Sequence, residues 1–263
     1  LVPVLIMTYY AVIGGWITKY AVVYLTGQSA AAAEDGYFTS FITSPVSPVV
    51  FALLFMGVTA FIVYNGVQDG IERVSRYMMP ILLVLVVVIA GYALTLRHED
   101  TSGQMRTGLE GLRYYLTPHM EGLTVSRFLQ ILLDAMSQLF FSLSVSMGIM
   151  ITYGSYLNKK ENLQKNAILI IIMDTLVALM AGLCVMPARF ALDPEGPIGG
   201  PKLLFITMQN VFDSMQGAIG PIFGIIFYLL VVLAAISSSI SLLETVVAHF
   251  VDKAREEGKG DKR

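Results

Sequence analysis

The residues of this 263-residue chain that could do chemistry are hydroxyls and one carboxylate, set in apolar surroundings. Ser142, Ser144 and Ser146 alternate inside the run from Phe140 to Gly148, midway along an apolar segment. A period of two cannot put three serines on one helix face. Two readings are open. The helix is intact, with each hydroxyl bonded to the carbonyl one turn back. Or it is broken, which at membrane depth requires burial in protein or a cavity to line. A second cluster runs from Ala234 to Ser241, with Ser237 and Ser241 one turn apart and Ser238 beside them. Hydroxyl and carbonyl oxygens suit a hard, weakly charged cation such as sodium. Small residues also let helices approach closely, so packing is the competing reading. Asp174 lies in the apolar run from Ile168 to Gly182. A carboxylate at that depth costs at least about 2.5–3.5 kcal/mol. It either serves as an ion or proton ligand or is held by hydrogen bonds as a structural residue. Tyr9 and Tyr10 sit mid-segment, where a hydroxyl needs a partner and an aromatic pair otherwise reads as core.

Other chemistries find little here. His98, His119 and His249 have no metal-ligand spacing, and no nucleophile–base set, phosphate loop or paired carboxylates are visible, so the chain does not read as an enzyme. A net charge of −2 leaves no nucleic-acid footprint. Cys184, the single cysteine, reads as a buried small hydrophobe. Glu244 is flanked by apolar residues near one end of its segment, and Lys19 can snorkel.

The elements that must position these groups are membrane helices. The chain is 56% hydrophobic and 14% charged, against about a quarter charged in a soluble domain. A span needs about 20 mostly apolar residues. Six segments qualify, at roughly 1–25, 47–66, 78–96, 128–157, 164–187 and 219–250; the last is long enough to project past the bilayer. The intervening segments alternate. Those at 66–77 (Arg73, Arg76) and 158–165 (Lys159, Lys160, Lys165), with the tail (Lys253, Arg255, Lys259, Lys262, Arg263), are short and basic. Those at 26–46, 97–127 and 188–218 are longer and poor in cations for their length. The positive-inside rule places the basic ones, and both ends of the chain, in the cytoplasm. Helical spacing predicts short surface helices over 108–116 and 202–215. The chain begins within an apolar stretch without Met or a basic leader, as a cut through a longer protein would.

Taken together these residues resemble the neurotransmitter:sodium symporter family, its bacterial amino-acid transporters in particular. Ser137 to Ser144, running on to Ile151-Thr152-Tyr153-Gly154-Ser155-Tyr156-Leu157, is similar to that family's sixth transmembrane helix. Tyr9-Tyr10 with Trp16 resembles the third, Met173 to Leu176 with Ala181-Gly182 the seventh, and Ala234 to Ser239 with Leu242-Leu243-Glu244 the eighth. Gly111 to Leu123 resembles the outer loop before the sixth. The resemblance covers the whole chain as one truncated transporter domain, 1–263, holding helices three to eight. It implies an all-α multi-pass membrane protein, part of a LeuT-type fold of inverted repeats with its fourth helix here (128–157) unwound in the middle.

The roles it implies fall on named residues. Tyr10 would bond the substrate carboxylate, and Phe141 would close over the substrate. Ile6, Ser142, Ser144, Met147, Ser238 and Leu242 would line the pocket. Ser142 and Asp174 would hold one sodium ion; Ala234, through its carbonyl, with Ser237 and Ser238 would hold a second. Tyr156 and Asp252 would belong to an inner gate. The implied function is sodium-coupled symport of an amino acid, apolar or aromatic given Ile6, Met147 and Leu242, into the cell across its inner or plasma membrane. The implied partners are that amino acid, sodium, the bilayer and the transporter's remaining N- and C-terminal helices, without which this fragment should not transport. Another carrier or channel with broken helices, or a non-transporting scaffold subunit, competes with that reading. Three positions depart from the common pattern. Asp174 stands where many members have asparagine, which points to chloride independence. Ser146 stands where glycine is common, and Ser142 where threonine is.

Overall fold

The computed structural model describes residues 1–65, 70–99, 103–118, 120–157, 160–193 and 199–258. The cations Lys159, Lys259, Lys262 and Arg263, and His119, lie outside them, as do the side chains at 65 and 70–75, Arg73 included. The longest elements are helices α1 (Val2–Leu25), α4 (Ser47–Asn65), α5 (Gly70–Thr95), α9 (Leu163–Leu192) and α11 (Ile219–Glu256). Among the described residues, five helices are long and apolar enough to cross a membrane. The sixth expected span is two helices, α7 (Val125–Ser142) and α8 (Ile149–Tyr156), with an unwound stretch between them.

The apolar segments are helical because a bilayer offers the backbone no hydrogen-bond partners, so each segment must supply its own. Hydropathy locates them but misplaces their ends. Helix α5 begins at Gly70 rather than 78, because helix continues through charged residues that hydropathy reads as loop. Helix α9 runs to Leu192 rather than 187, passing through Pro187. There α6 (Gly108–Leu116) lies so close that a Cβ on Gly111 would sit 2.7 Å from the Pro187 Cα. At 38 residues α11 is about 57 Å long, well beyond the hydrocarbon thickness.

The longer connections are folded. The segment 26–46 holds α2 (Ser29–Ala33) and α3 (Tyr37–Thr43), which bury Phe38 and Phe41. The segment 97–127 holds a hairpin of β1 (Arg97–Glu99) and β2 (Met105–Thr107), then α6. Three-residue strands are too short to show a period, and so were not expected. The predicted helix over 202–215 forms as a π turn (Leu203–Thr207) leading into α10 (Met208–Ser214). A buried chain of side chains ties it down. The Tyr24 hydroxyl donates to Gln209 Oε1 (2.6 Å), the Gln209 amide donates to Tyr228, and the Tyr228 hydroxyl donates to the Leu204 carbonyl (2.8 Å).

Helix α1 packs along α11 and α4 at the centre. Two glycines set the spacing. A Cβ on Gly15 would stand 2.5 Å from the Ala52 backbone nitrogen, and one on Gly14 would meet the Phe55 ring at 2.5 Å. The α1–α4 approach therefore requires residues without side chains. Behind the pair, the Thr59 and Ser239 hydroxyls meet at 3.2 Å, both fully buried. In contrast, α7 has no buried residue. Backbone atoms cannot rotate aside, so Gly15→Ala must push α1 and α4 apart. Its expected cost is about 1–3 kcal/mol, read as a lower thermal midpoint in detergent. A midpoint equal to that of the wild-type protein would contradict this packing.

Candidate binding site at the broken helix

The break is a helix end followed by a helix start. Helix α7 closes with a Schellman arrangement: Val145 N–H bonds to Phe140 O (2.9 Å) and Ser144 N–H to Phe141 O (3.2 Å). That motif needs a left-handed residue after the cap. Ser144 takes the position with φ 55°, where glycine is usual. Ser146 (φ 64°) and Gly148 (φ 81°) are left-handed too. Alternating left-handed residues throw the chain out of helical register, and α8 restarts at Ile149. Of the two readings open from the serine spacing, the structure takes the break.

The turn places side chains around a cavity of about 210 Å³ between α1, α7, α8 and α11. Its lining contains all eight residues expected to surround a substrate: Ile6, Tyr10, Phe141, Ser142, Ser144, Met147, Ser238 and Leu242. Tyr10 from α1 and Ser238 from α11 face this cavity together. Tyr9 points elsewhere and stacks obliquely against Phe141 with ring centroids 6.4 Å apart. Two lining residues had no assigned role, Ile149 and Ser241. Ser241 carried a signal, its one-turn spacing from Ser237; Ile149 carried none.

Asp174, from α9, meets this site at its edge. The Ser142 hydroxyl donates to Asp174 Oδ1 at 2.5 Å. Two hard oxygens thus converge where α7 ends, an arrangement that offers lone pairs to a cation once the hydroxyl turns its proton away from the carboxylate. The other expected ion residues lie one turn apart on α11. The Ser237 hydroxyl donates to the Ala234 carbonyl at 2.8 Å. Ser238 is in the cavity lining; Ala234 and Ser237 are not among those residues. The structure therefore brings Ser142 to Asp174 and Ala234 to Ser237 as two separate pairs.

A second cavity, of about 650 Å³, lies between α8 and the later turns of α11. Tyr156 and Asp252 both line it. The Tyr156 hydroxyl donates to Glu244 Oε1 at 3.0 Å. Glu244 thus joins the expected gate pair; its apolar flanks were the signal, since a carboxylate there needs a donor.

Strain at the break is testable. Ser146→Gly removes the left-handed cost and adds unfolded-state freedom, for a net gain of about 0.5 kcal/mol. Ser146→Val places a β-branched residue at positive φ and should cost at least about 1 kcal/mol. Thermal unfolding in detergent reads both, and a valine variant as stable as the wild type would show that the turn is not held in this form.

Comparisons place these features among known proteins. The sodium:neurotransmitter symporter family matches residues 42–263. An uncharacterized sodium-dependent transporter, YhdH of Bacillus subtilis, is 37% identical over 98% of this chain and 53% of its own length. The sodium-dependent serotonin transporter of Drosophila melanogaster is 25% identical over 80% of this chain and 33% of its own length. The crystal structure of MhsT in complex with L-phenylalanine superposes with a TM-score of 0.83, at 40% identity, over 96% of this chain and 54% of that one. The chain spans about half the length of the curated bacterial relatives it matches. By its residues and its fold, it belongs to the sodium:neurotransmitter symporter family.

Proposed function

We propose that the full-length protein carrying this chain takes up an amino acid together with sodium by alternating access. The observation that carries the reading is the meeting of Ser142 and Asp174 at 2.5 Å on the rim of a cavity lined by Tyr10, Phe141 and Ser238. The amino-acid carboxylate would lie against the Tyr10 hydroxyl and the amide-rich start of α8, where a helix N-terminus favours negative charge. Its side chain would pack on Ile6, Met147 and Leu242, which fits an apolar or aromatic substrate; the related MhsT was crystallised with L-phenylalanine. Phe141 would cover it from outside. Ser142 and Asp174 would hold one sodium ion, and the Ala234 carbonyl with Ser237 and Ser238 would contribute to a second. Tyr156, Asp252 and Glu244 would close the inner side, with the C-terminal tail in the cytoplasm of the inner or plasma membrane. Sodium drives the cycle only by binding one arrangement more tightly than the other.

A carboxylate at 174 supplies a fixed negative charge beside the first ion. Chloride is then unnecessary for charge balance. Uptake by the full-length protein in proteoliposomes should depend on sodium and persist in chloride-free buffer. Asp174→Asn removes the charge but keeps the shape. It should weaken apparent sodium affinity at least about tenfold, the scale of one lost charge-assisted contact, and make uptake respond to chloride. Wild-type uptake that fails without chloride would refute chloride independence. Saturable amino-acid binding indifferent to sodium would refute coupling, and ion conduction without saturable binding would make the protein a channel.

A further inference from the structure

Helix α8, the inner half of the broken span, packs mainly on α11. Two hydrogen bonds join them. Tyr153 meets Ser241 Oγ at 2.8 Å, and Tyr156 meets Glu244 at 3.0 Å. Tyr153 and Tyr156 are three residues apart on α8, and Ser241 and Glu244 three apart on α11, so the bonds form two rungs one turn apart on facing sides. The lower rung belongs to the inner cavity. The upper one does not: Ser241 lines the substrate-sized cavity instead.

Proton counting orders the upper rung. The Ser241 hydroxyl donates to the Ser237 carbonyl at 3.1 Å. A serine has one hydroxyl proton, so while Ser241 donates to the Ser237 carbonyl its oxygen is left to accept from Tyr153. A directed chain therefore runs from Tyr153 on α8, through Ser241, to the backbone of Ser237 on α11. Separately, the Ser237 hydroxyl donates to the Ala234 carbonyl one turn back. Of these bonds, the one from Tyr153 alone reaches α8, so the 234–241 stretch carries that contact only while α8 lies against α11.

We propose that Tyr153 is a positioning residue which, through Ser241, couples the placement of the inner half-helix to the sodium affinity of the Ala234–Ser238 turn. This rests on the sodium-coupled reading above and names one of its coupling elements. Coupling is reciprocal. Sodium at that turn favours α8 docked on α11, and release of α8 weakens the ion.

The test is binding of radiolabelled sodium to the purified full-length transporter, with potassium as control, for Tyr153→Phe, Ser241→Ala, the double variant and Ser241→Thr. Each single variant removes one oxygen and should raise the half-saturating sodium concentration about fivefold, the effect of one ordinary hydrogen bond. The double variant should be no worse than the worse single, because both break one chain. Ser241→Thr keeps the hydroxyl and should bind like the wild type. If one single variant does not fold, the other reports on the same bond. Single variants within about twofold of the wild type, additive effects in the double variant or failure of threonine to restore binding would each overturn the proposal. A wild-type protein that binds no sodium would overturn the transport reading itself, and this inference with it.

Discussion

A peptide amide or carbonyl without a partner in the hydrocarbon interior costs several kcal/mol, and every feature of this site follows from that cost. A span interrupted midway has two extra ends, each exposing up to four backbone groups. The break between α7 and α8 lowers the cost locally by folding Val145 and Ser144 back onto Phe140 and Phe141. The groups that this turn does not reach need water, an ion or a ligand. A cavity forms at the break, rather than tight packing, because polar backbone must have something polar to face.

The same cost explains the hydroxyls around it. Ser142 donates to Asp174, Ser237 to the Ala234 carbonyl and Ser241 to the Ser237 carbonyl. Each of these hydroxyls thus has a protein partner, so a cation at them would replace hydrogen bonds rather than fill an empty shell. Exchange of that kind keeps binding reversible. Dedicated oxygens with no alternative partner would be costly when empty and hard to leave when filled. The left-handed serines act in the same direction. Serine at φ 55° and 64° is tolerated rather than preferred, so the turn is not locked as firmly as two glycines would lock it.

The features legible in the sequence are those with a thermodynamic signature in a single segment. Apolar runs located the spans, because only helices satisfy backbone in lipid. Asp174 stood out because a carboxylate in an apolar run needs a reason. Whether Ser142, Ser144 and Ser146 marked a break could not be read from their spacing, since a helix can also absorb serines. The resemblance favoured the break, and the φ angles show it. Pairings between distant segments were the least visible. Nothing in the run around Tyr153 announces Ser241, 88 residues on. Nor does anything around Tyr24 announce Gln209, 185 residues away. Short periods failed as well: three-residue strands and a five-residue π turn carry no repeat to detect.

The chain packs unevenly around this site. Its centre is well packed, with α1 against α4 and α11 at glycine distance. Its rim is not: α7 buries no residue and the membrane-spanning window of α9 only 6%. Ser142 and Asp174 therefore meet at an exposed position. Two side-chain oxygens there are fewer than a hard cation needs in exchange for its hydration shell. Covering the apolar faces of α7 and α9 would lower the local dielectric and strengthen every charge interaction at the pair. Selectivity for an alkali ion is on this account a property of enclosure. The broken helix aims the two oxygens at each other, and the burial of α7 and α9 sets the dielectric in which their charge acts.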